Sequence, residues 1–430
     1  MSSSLTPPTT VLAEFLQSQK TRYLKDVEDG KGGNWTVVMG NEAGDLDSMA
    51  SSIALAWCMS TAGNADVVSL IQTPRGELRA RPENLYVLSL VGINAEDPQF
   101  LCLDDIPEAK RSPFPSHKFA LVDHNRLLPQ FVSENPPSQV VAVIDHHEDE
   151  GFYKDADPRI IVVPTGSATS LVSLYIKEKS TSPPPPELAT LLLCGILIDT
   201  DGLKPGGKAE DQDHQAATFL VPISLLPPGI DDQKLPDDPV IRELTRTLEE
   251  TKRDVSHLTT RELFQRDYKE YTMVPHWAKD TTVLVGLASV PVALKPWFEK
   301  DKEFFPEMDK FMSDRGLAAF GVLTSFHDPK KLNKEGKPKH KREQLWGARK
   351  GDGGLKDLPK ILYKGLKKSK ELDLKAKSFK RDYGVKKKDG FDKTIKGKVF
   401  RQMIAKASRK VIAPVVKDVI EGTSVATSGK

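Results

Sequence analysis

Val140-Val141-Ala142-Val143-Ile144-Asp145-His146-His147 joins an apolar, mostly β-branched run to one acid and two imidazoles. Such a run reads as a strand buried on both faces. The residues able to hold a metal stand at its carboxyl end. Working outward, the arrangement recurs. Trp35 to Met39 runs into Gly40-Asn41-Glu42-Ala43-Gly44-Asp45-Leu46-Asp47-Ser48, and Phe119 to Val122 runs into Asp123-His124-Asn125. A fourth segment, Ile198-Asp199-Thr200-Asp201, closes the apolar stretch Leu191 to Ile198. Further short β-rich runs at Asp66 to Ile71 and Ile160 to Val163 alternate with helical patterns, as at Val11 to Leu24, Ser48 to Met59 and Glu187 to Ile198. Strands alternating with helices predict an α/β fold with a parallel sheet, and ligands of such folds gather at the carboxyl ends of the strands.

The chain has 430 residues, 38% of them hydrophobic, and a mean hydropathy of -0.39. Two domains are expected from that length. No apolar run approaches the roughly 18 to 20 residues that span a bilayer. Residues 1–10 form a Ser/Thr/Pro-rich tail without the basic and apolar regions of a secretory signal. Three scattered cysteines, Cys58, Cys102 and Cys194, suit a reducing compartment, with the cytoplasm as default and a monomer as the simplest assembly. The expected domains are 11–225, a Pro/Asp-rich linker at 226–239, and 240–430. Net charge is only +2, but residues 328–400 hold 25 Lys/Arg against 10 Asp/Glu, so the rest of the chain is acidic. That segment reads as a basic insertion, either solvated or facing a polyanion. Strands are expected near Thr282 to Ala288 and Ala318 to Thr324, and helices near Ile241 to Thr259 and Phe400 to Glu421.

Each motif has a bland reading, since Asp is common in turns. Their repetition in one setting favours chemistry. Asp45 and Asp47 in one turn can face adjacent cations, Asp123 can bridge two metals, and His146 is a natural nitrogen ligand. His147, its neighbour, is expected to point elsewhere. Asp199, flanked by apolar residues, would be costly to bury without a cation. Gly166-Ser167-Ala168-Thr169-Ser170 opens a helix whose free amides could hold a phosphate, or is simply a small-residue cap.

These motifs together resemble the DHH phosphoesterase superfamily. G-N-E-x-x-D-x-D-S, Val-Asp-His-Asn, Ile-Asp-His-His and Ile-Asp-Thr resemble its exopolyphosphatase and pyrophosphatase branch, including the fungal cytosolic exopolyphosphatases. Asp267-Tyr268-Lys269 and Ala407-Ser408-Arg409-Lys410 extend the likeness to the C-terminal part. The resemblance implies a metal-binding DHH domain followed by a smaller α/β DHHA2 domain that carries the basic segment, with the active site in the cleft between them. It implies two divalent ions: Asp45 on the first, Asp47, His146 and Asp199 on the second, and Asp123 bridging. Water activated by them would attack the terminal phosphorus of inorganic polyphosphate, with His147 assisting the leaving oxygen. Closure of the second domain would bring Lys269, Ser408, Arg409 and Lys410 onto the phosphates. Asn41 stands where manganese-type pyrophosphatases have His. That favours Mg2+ over Mn2+ or Co2+ and leaves Asn41 either a ligand or a substrate contact. Arg75, Arg79 and Arg81 resemble a segment of the exopolyphosphatases and could touch the phosphate chain or simply pair with acids. Rival readings are an inorganic pyrophosphatase, a prune-like phosphodiesterase or regulatory binder, a nuclease, and a polyphosphate-binding scaffold.

Overall fold

A computed structural model describes residues 10–422 except 64–65, 95–96, 233, 334–335, 337 and 352–354. The expected N-terminal tail therefore lies outside the described residues, apart from Thr10. Its side chain caps the first helix by accepting from the Ala13 amide. The chain divides into two compact units, 1–254 and 255–430.

The first unit runs α1 (Val11–Glu28), β1 (Thr36–Met39), α2 (Leu46–Thr61), β2 (Val67–Ile71), α3 (Pro82–Leu90), β3 (Leu101–Cys102), β4 (Lys118–Val122), β5 (Gln139–Asp145), β6 (Arg159–Ile161), α4 (Ala168–Lys179), α5 (Pro186–Asp199), α6 (Asp211–Leu220) and α7 (Pro239–Arg253). Its six strands are all parallel, in the order β3-β2-β1-β4-β5-β6. Side chains alternate between faces along each strand. Val38, Ala120, Val122, Ala142 and Ile144 meet the helical layer of α2 and α5, while Val37, Met39, Phe119, Leu121 and Val143 face Tyr23, Trp35 and Phe131. Burial on both faces explains why these strands read as continuous apolar runs. Helix α5 is apolar all round and buried from Leu188 to Ile198, as expected of a helix enclosed by others.

The strand order reverses at the neighbouring pair β1 and β4. Such a switch point opens a crevice at the carboxyl ends of the strands. Here the two loops leaving it begin with Gly40-Asn41 and Asp123.

The second unit runs α8 (Thr260–Gln265), β7 (Tyr268–Met273), β8 (Val283–Val290), α9 (Leu294–Lys300), α10 (Phe304–Asp314), β9 (Ala319–Leu332), β10 (Pro338–Arg349), α11 (Leu358–Lys368), β11 (Leu374–Lys377), α12 (Phe379–Tyr383), β12 (Ile395–Gln402) and α13 (Arg409–Glu421). Its sheet has the order β11-β12-β10-β9-β8-β7 and is antiparallel except between β8 and β9.

Three expectations change here. The expected second domain began at 240, but α7 packs on α3 and α5 and belongs to the first unit. Residues 328–400 are no insertion, because they supply three strands of the second sheet, β10 among its inner ones. Phe400 lies inside β12 and not in a helix, its side chain wholly buried, and the closing helix starts only at Arg409.

Candidate metal centre

Asp123 follows β4 with φ +60°, a left-handed conformation that Asp tolerates better than most residues. The turn aims its carboxylate back across the switch point. Ser48 Oγ donates to Asp123 Oδ2 at 2.5 Å, and Asn41 Nδ2 donates to the same oxygen at 2.7 Å. Ser48 comes so close because Gly40 has no side chain: a Cβ there would lie 2.5 Å from Ser48 Cβ. The other oxygen, Oδ1, lies 3.2 Å from His146 Nε2 and 3.6 Å from His147 Nδ1. Ligand atoms of Asp123, His146 and His147 all fall within 4.8 Å of one another. The expectation that His147 points away is therefore corrected: both imidazoles reach Asp123, their rings 4.6 Å apart and nearly perpendicular.

Asp47 sits in the first turn of α2, buried, with Oδ2 3.6 Å from His146 Nε2. It accepts from Ser167 Oγ and the Thr169 amide at 2.7 Å each, and from the Ala168 amide at 2.8 Å. The helix N-terminus read as either a phosphate cradle or a small-residue cap thus holds the protein's own carboxylate. The nearby Gly166 amide is taken by Asp213. Asp45 is the N-cap of α2 and accepts from the Ser48 amide. Asp199 ends α5, 3.8 Å from the ammonium of Lys252 on α7.

The electrostatics follow from this crowding. Burial raises Asp47, with the Asp45 charge adding to it and His146 opposing. Burial and then the Asp47 charge push Asp123 well above the usual carboxylate range. Burial pushes Asp199 up to about 7 against the pull of Lys252. Burial opposes charge on His146 too, but its hydrogen bond to Asp123 and the Asp47 charge outweigh it and raise the imidazole to about 10. Buried carboxylates repelling one another around His146 are short of positive charge, and the oxygen and nitrogen donors gathered here suit divalent cations. The supporting contacts fit as well. His146 Nδ1 meets the Thr165 carbonyl at 3.1 Å, which leaves Nε2 as the outward donor. His147 Nδ1 meets Asp145 Oδ1 at 2.9 Å, and Asn125 Nδ2 donates to Asp145 Oδ2 at 2.6 Å. Burial opposes the charge on Asp145, but His147 and Asn125 hold its carboxyl low.

Several of these groups had no role from sequence. Ser48, Asn125, Asp145, Ser167, Thr169 and Lys252 act by positioning; all but Lys252 stood inside segments singled out from the sequence, but without that role. Asn41, left open between ligand and substrate contact, serves here as a donor to Asp123, while its Oδ1 accepts from the Ala43 amide. The arginines are not brought to this cluster as free cations. Arg75 forks onto Asp105 and reaches Asp97 and the Pro98 and Phe100 carbonyls. Arg81 donates twice to the Ala43 carbonyl and so braces the first motif loop. In the second unit Arg409 donates to the Asp267 carbonyl and pairs with its carboxylate at 2.8 Å, two residues before Lys269. Ser408 is the N-cap residue of α13, and Arg409 and Lys410 form its first turn.

Two family models match. The DHH family N-terminal domain matches residues 35–196, and the DHHA2 domain matches residues 246–419. This chain carries a DHH domain followed by a DHHA2 domain. A putative exopolyphosphatase from Schizosaccharomyces pombe is 35% identical over 280 residues, 63% of this chain and 66% of that protein. Exopolyphosphatase PRUNE1 from Mus musculus is 28% identical over 295 residues, 67% of this chain and 59% of that protein. The match thus spans less than two thirds of either relative. The crystal structure of a putative family II inorganic pyrophosphatase from Methanococcus jannaschii superposes with a TM-score of 0.53 at 20% identity, covering 90% of this chain and 99% of that one. That likeness speaks for the fold alone. The DHH domain carries the aspartate–histidine cluster, and the DHHA2 domain carries Lys269, Ser408, Arg409 and Lys410.

Proposed function

We propose that this protein is a metal-dependent phosphoanhydride hydrolase that releases orthophosphate from the ends of inorganic polyphosphate. The observation that carries the reading is the convergence of Asp47, Asp123 and His146 at the switch point of a DHH domain, with His147 beside them. The names of the two relatives favour a polyphosphate substrate over pyrophosphate alone.

Asp45, Asp47, Asp123, His146 and Asp199 would hold two divalent ions, with Mg2+ preferred and Mn2+ or Co2+ as alternatives. Bound there, such ions would polarise phosphoryl oxygens and make water acidic enough to attack phosphorus. Asp123 is kept ready by Ser48 and Asn41, so no reorganisation is needed when substrate arrives. His147, oriented by Asp145 and half exposed, would give a proton to the leaving oxygen. Lys269, Ser408, Arg409 and Lys410 would take phosphoryl oxygens. Two cations in the first turn of α13 oppose the helix dipole, an arrangement that an anion at that end relieves. Cytoplasmic residence suits the free cysteines Cys58, Cys102 and Cys194, all buried, and no helix among the described residues is long and apolar enough to cross a membrane.

The test is phosphate release from long-chain polyphosphate and from pyrophosphate, each with Mg2+ and with Mn2+, for wild type and Asp123→Ala. Release from the long chain that vanishes in the variant is the expected result. Release from pyrophosphate alone would make the protein a pyrophosphatase, and release from neither would favour a phosphodiesterase or a regulatory binder.

A further inference from the structure

Two groups of lysines stand out within residues 328–400 of the second unit. One group lies on the β9–β10 hairpin. The other surrounds a cavity of about 750 Å3, whose lining includes Lys350 at the end of β10, Lys356, Lys360 and Tyr363 at α11, and Lys396 on β12. That volume lies within the roughly 300–1,000 Å3 of ligand pockets. We propose that this cavity is a separate binding site for an oligophosphate anion, distinct from the contacts assigned to Lys269, Ser408, Arg409 and Lys410.

Charge is the first argument. Four ammonium groups line the cavity against one carboxylate, Asp357. Among the described residues none of the four is paired with a carboxylate, and only Lys350 is occupied, by the Lys393 carbonyl. Unpaired lysines around a concavity repel one another until an anion enters. Helix polarity is the second. The first turn of α11 opens at the cavity through Asp357 and Pro359, and the Asp357 side chain does not cap it. Its free amides add partial positive charge. The wall is also fixed, since the Tyr363 hydroxyl donates to the Lys396 carbonyl and so ties α11 to β12.

Separation from Arg409 follows from register. Arg409 is anchored on Asp267, whose carbonyl pairs with Ser289, and the row of Ser289 continues through Leu323 to Gln344. Lys350 lies six residues further along β10 from Gln344, roughly 20 Å at about 3.3 Å per residue, and three strands away from β7. The chemistry required is a chain of several phosphates, because the ammonium groups come from three different elements. Such a chain is either the distal part of a long substrate or a separate small oligophosphate.

Binding is to be measured by calorimetry with sodium tripolyphosphate in EDTA, which strips the metals and makes the readout independent of hydrolysis. The proteins are wild type, Lys356→Ala/Lys360→Ala/Lys396→Ala, and Lys410→Ala as the control at the other site. The triple variant should bind about tenfold more weakly at the cavity, with a shallower salt dependence, while Lys410→Ala keeps that binding. Far-ultraviolet circular dichroism checks that the fold is kept, and exposed lysines are safe positions for it. If KM for long polyphosphate also rises in the triple variant, the cavity holds the far part of the substrate. If KM is unchanged while tripolyphosphate binding falls, it takes a separate oligophosphate. Unchanged tripolyphosphate binding in the triple variant overturns the proposal, whatever the activity assays give.

Discussion

His146 Nε2 stands 3.2 Å from Asp123 Oδ1, and that imidazole faces a second buried carboxylate, Asp47, at 3.6 Å. Without metal the cluster carries more negative charge than its surroundings can neutralise. Asp123→Asn keeps the shape and removes one of the repelling charges. The variant is therefore expected to melt higher than wild type in EDTA, by about 1–3 kcal/mol in unfolding free energy. It should also lose phosphate release by about 100-fold or more, since a ligand charge is gone. Thermal melts with and without Mg2+ check this, and a variant less stable than wild type in EDTA would contradict the repulsion argument.

Gly40 is the second place where shape controls chemistry. Its carbonyl accepts from Gln72 Nε2 at 2.6 Å, and its missing side chain admits Ser48 against Asp123. Gly40→Ala puts a methyl 2.5 Å from Ser48 Cβ and 2.7 Å from the Ser48 carbonyl, so β1 and α2 must part. A cost of about 1–3 kcal/mol is expected, together with a fall in activity of about 10- to 100-fold as Asp123 loses its alignment. Ser48→Ala is the control, losing the hydrogen bond without the clash. Equal stability of Gly40→Ala and wild type in urea titrations would show that the layers can yield at no cost.

Much of this was legible because the DHH strands are buried on both faces and end in acids. The apolar runs before Asn41, Asp123 and Asp145 gave both the parallel sheet and the rim that bears the site. What stayed hidden was tertiary. Ser167 and Thr169 stayed open between a phosphate cradle and a small-residue cap because their partner, Asp47, lies about 120 residues away in sequence. Arg75 stayed open between substrate and an acid partner because nothing local announces that Asp105 will take it. Strands β10 and β12 were hidden by their lysines, which project from exposed stretches while Leu345, Trp346, Ala348, Ile395, Val399 and Phe400 carry the core signal.

The β9–β10 hairpin outruns its neighbours. Pairing with β8 ends at Thr324 and pairing with β12 begins at Arg342, so Ser325 to Lys341 is two-stranded among the described residues. It extends from the end of the sheet nearest Ser408, where Arg342 Nε donates to the Ala405 carbonyl. Lys330, Lys331 and Lys339 are exposed on it. Lys330→Glu/Lys331→Glu/Lys339→Glu should lower kcat/KM for long polyphosphate about tenfold at low salt and leave tripolyphosphate turnover unchanged. The difference should shrink as salt is added. Unchanged long-chain turnover at low salt would remove the hairpin from any role in gathering substrate.

Asp105 supplies a test of the reassigned Arg75. It accepts Arg75 Nη2 at 2.6 Å, the Cys102 amide at 2.8 Å and Lys20 Nζ at 3.1 Å. Burial works against its charge, but Arg75, the Cys102 amide and Lys20 prevail and hold the carboxyl below its ordinary 3.8. A group depressed in the folded state stabilises fully above its unfolded value and loses that contribution as pH falls through the folded one. Asp105→Asn should therefore cost about 2–3 kcal/mol at pH 7 and at pH 5, because Arg75 is left without its carboxylate. The gap between variant and wild type should begin to narrow below pH 3.8, where the unfolded chain takes up a proton that the folded carboxyl still resists. Urea titrations at pH 7, 5 and 3.5 read it directly. A gap that stays constant down to pH 3.5 would mean that Asp105 acts through packing and hydrogen bonds, with its charge playing no part.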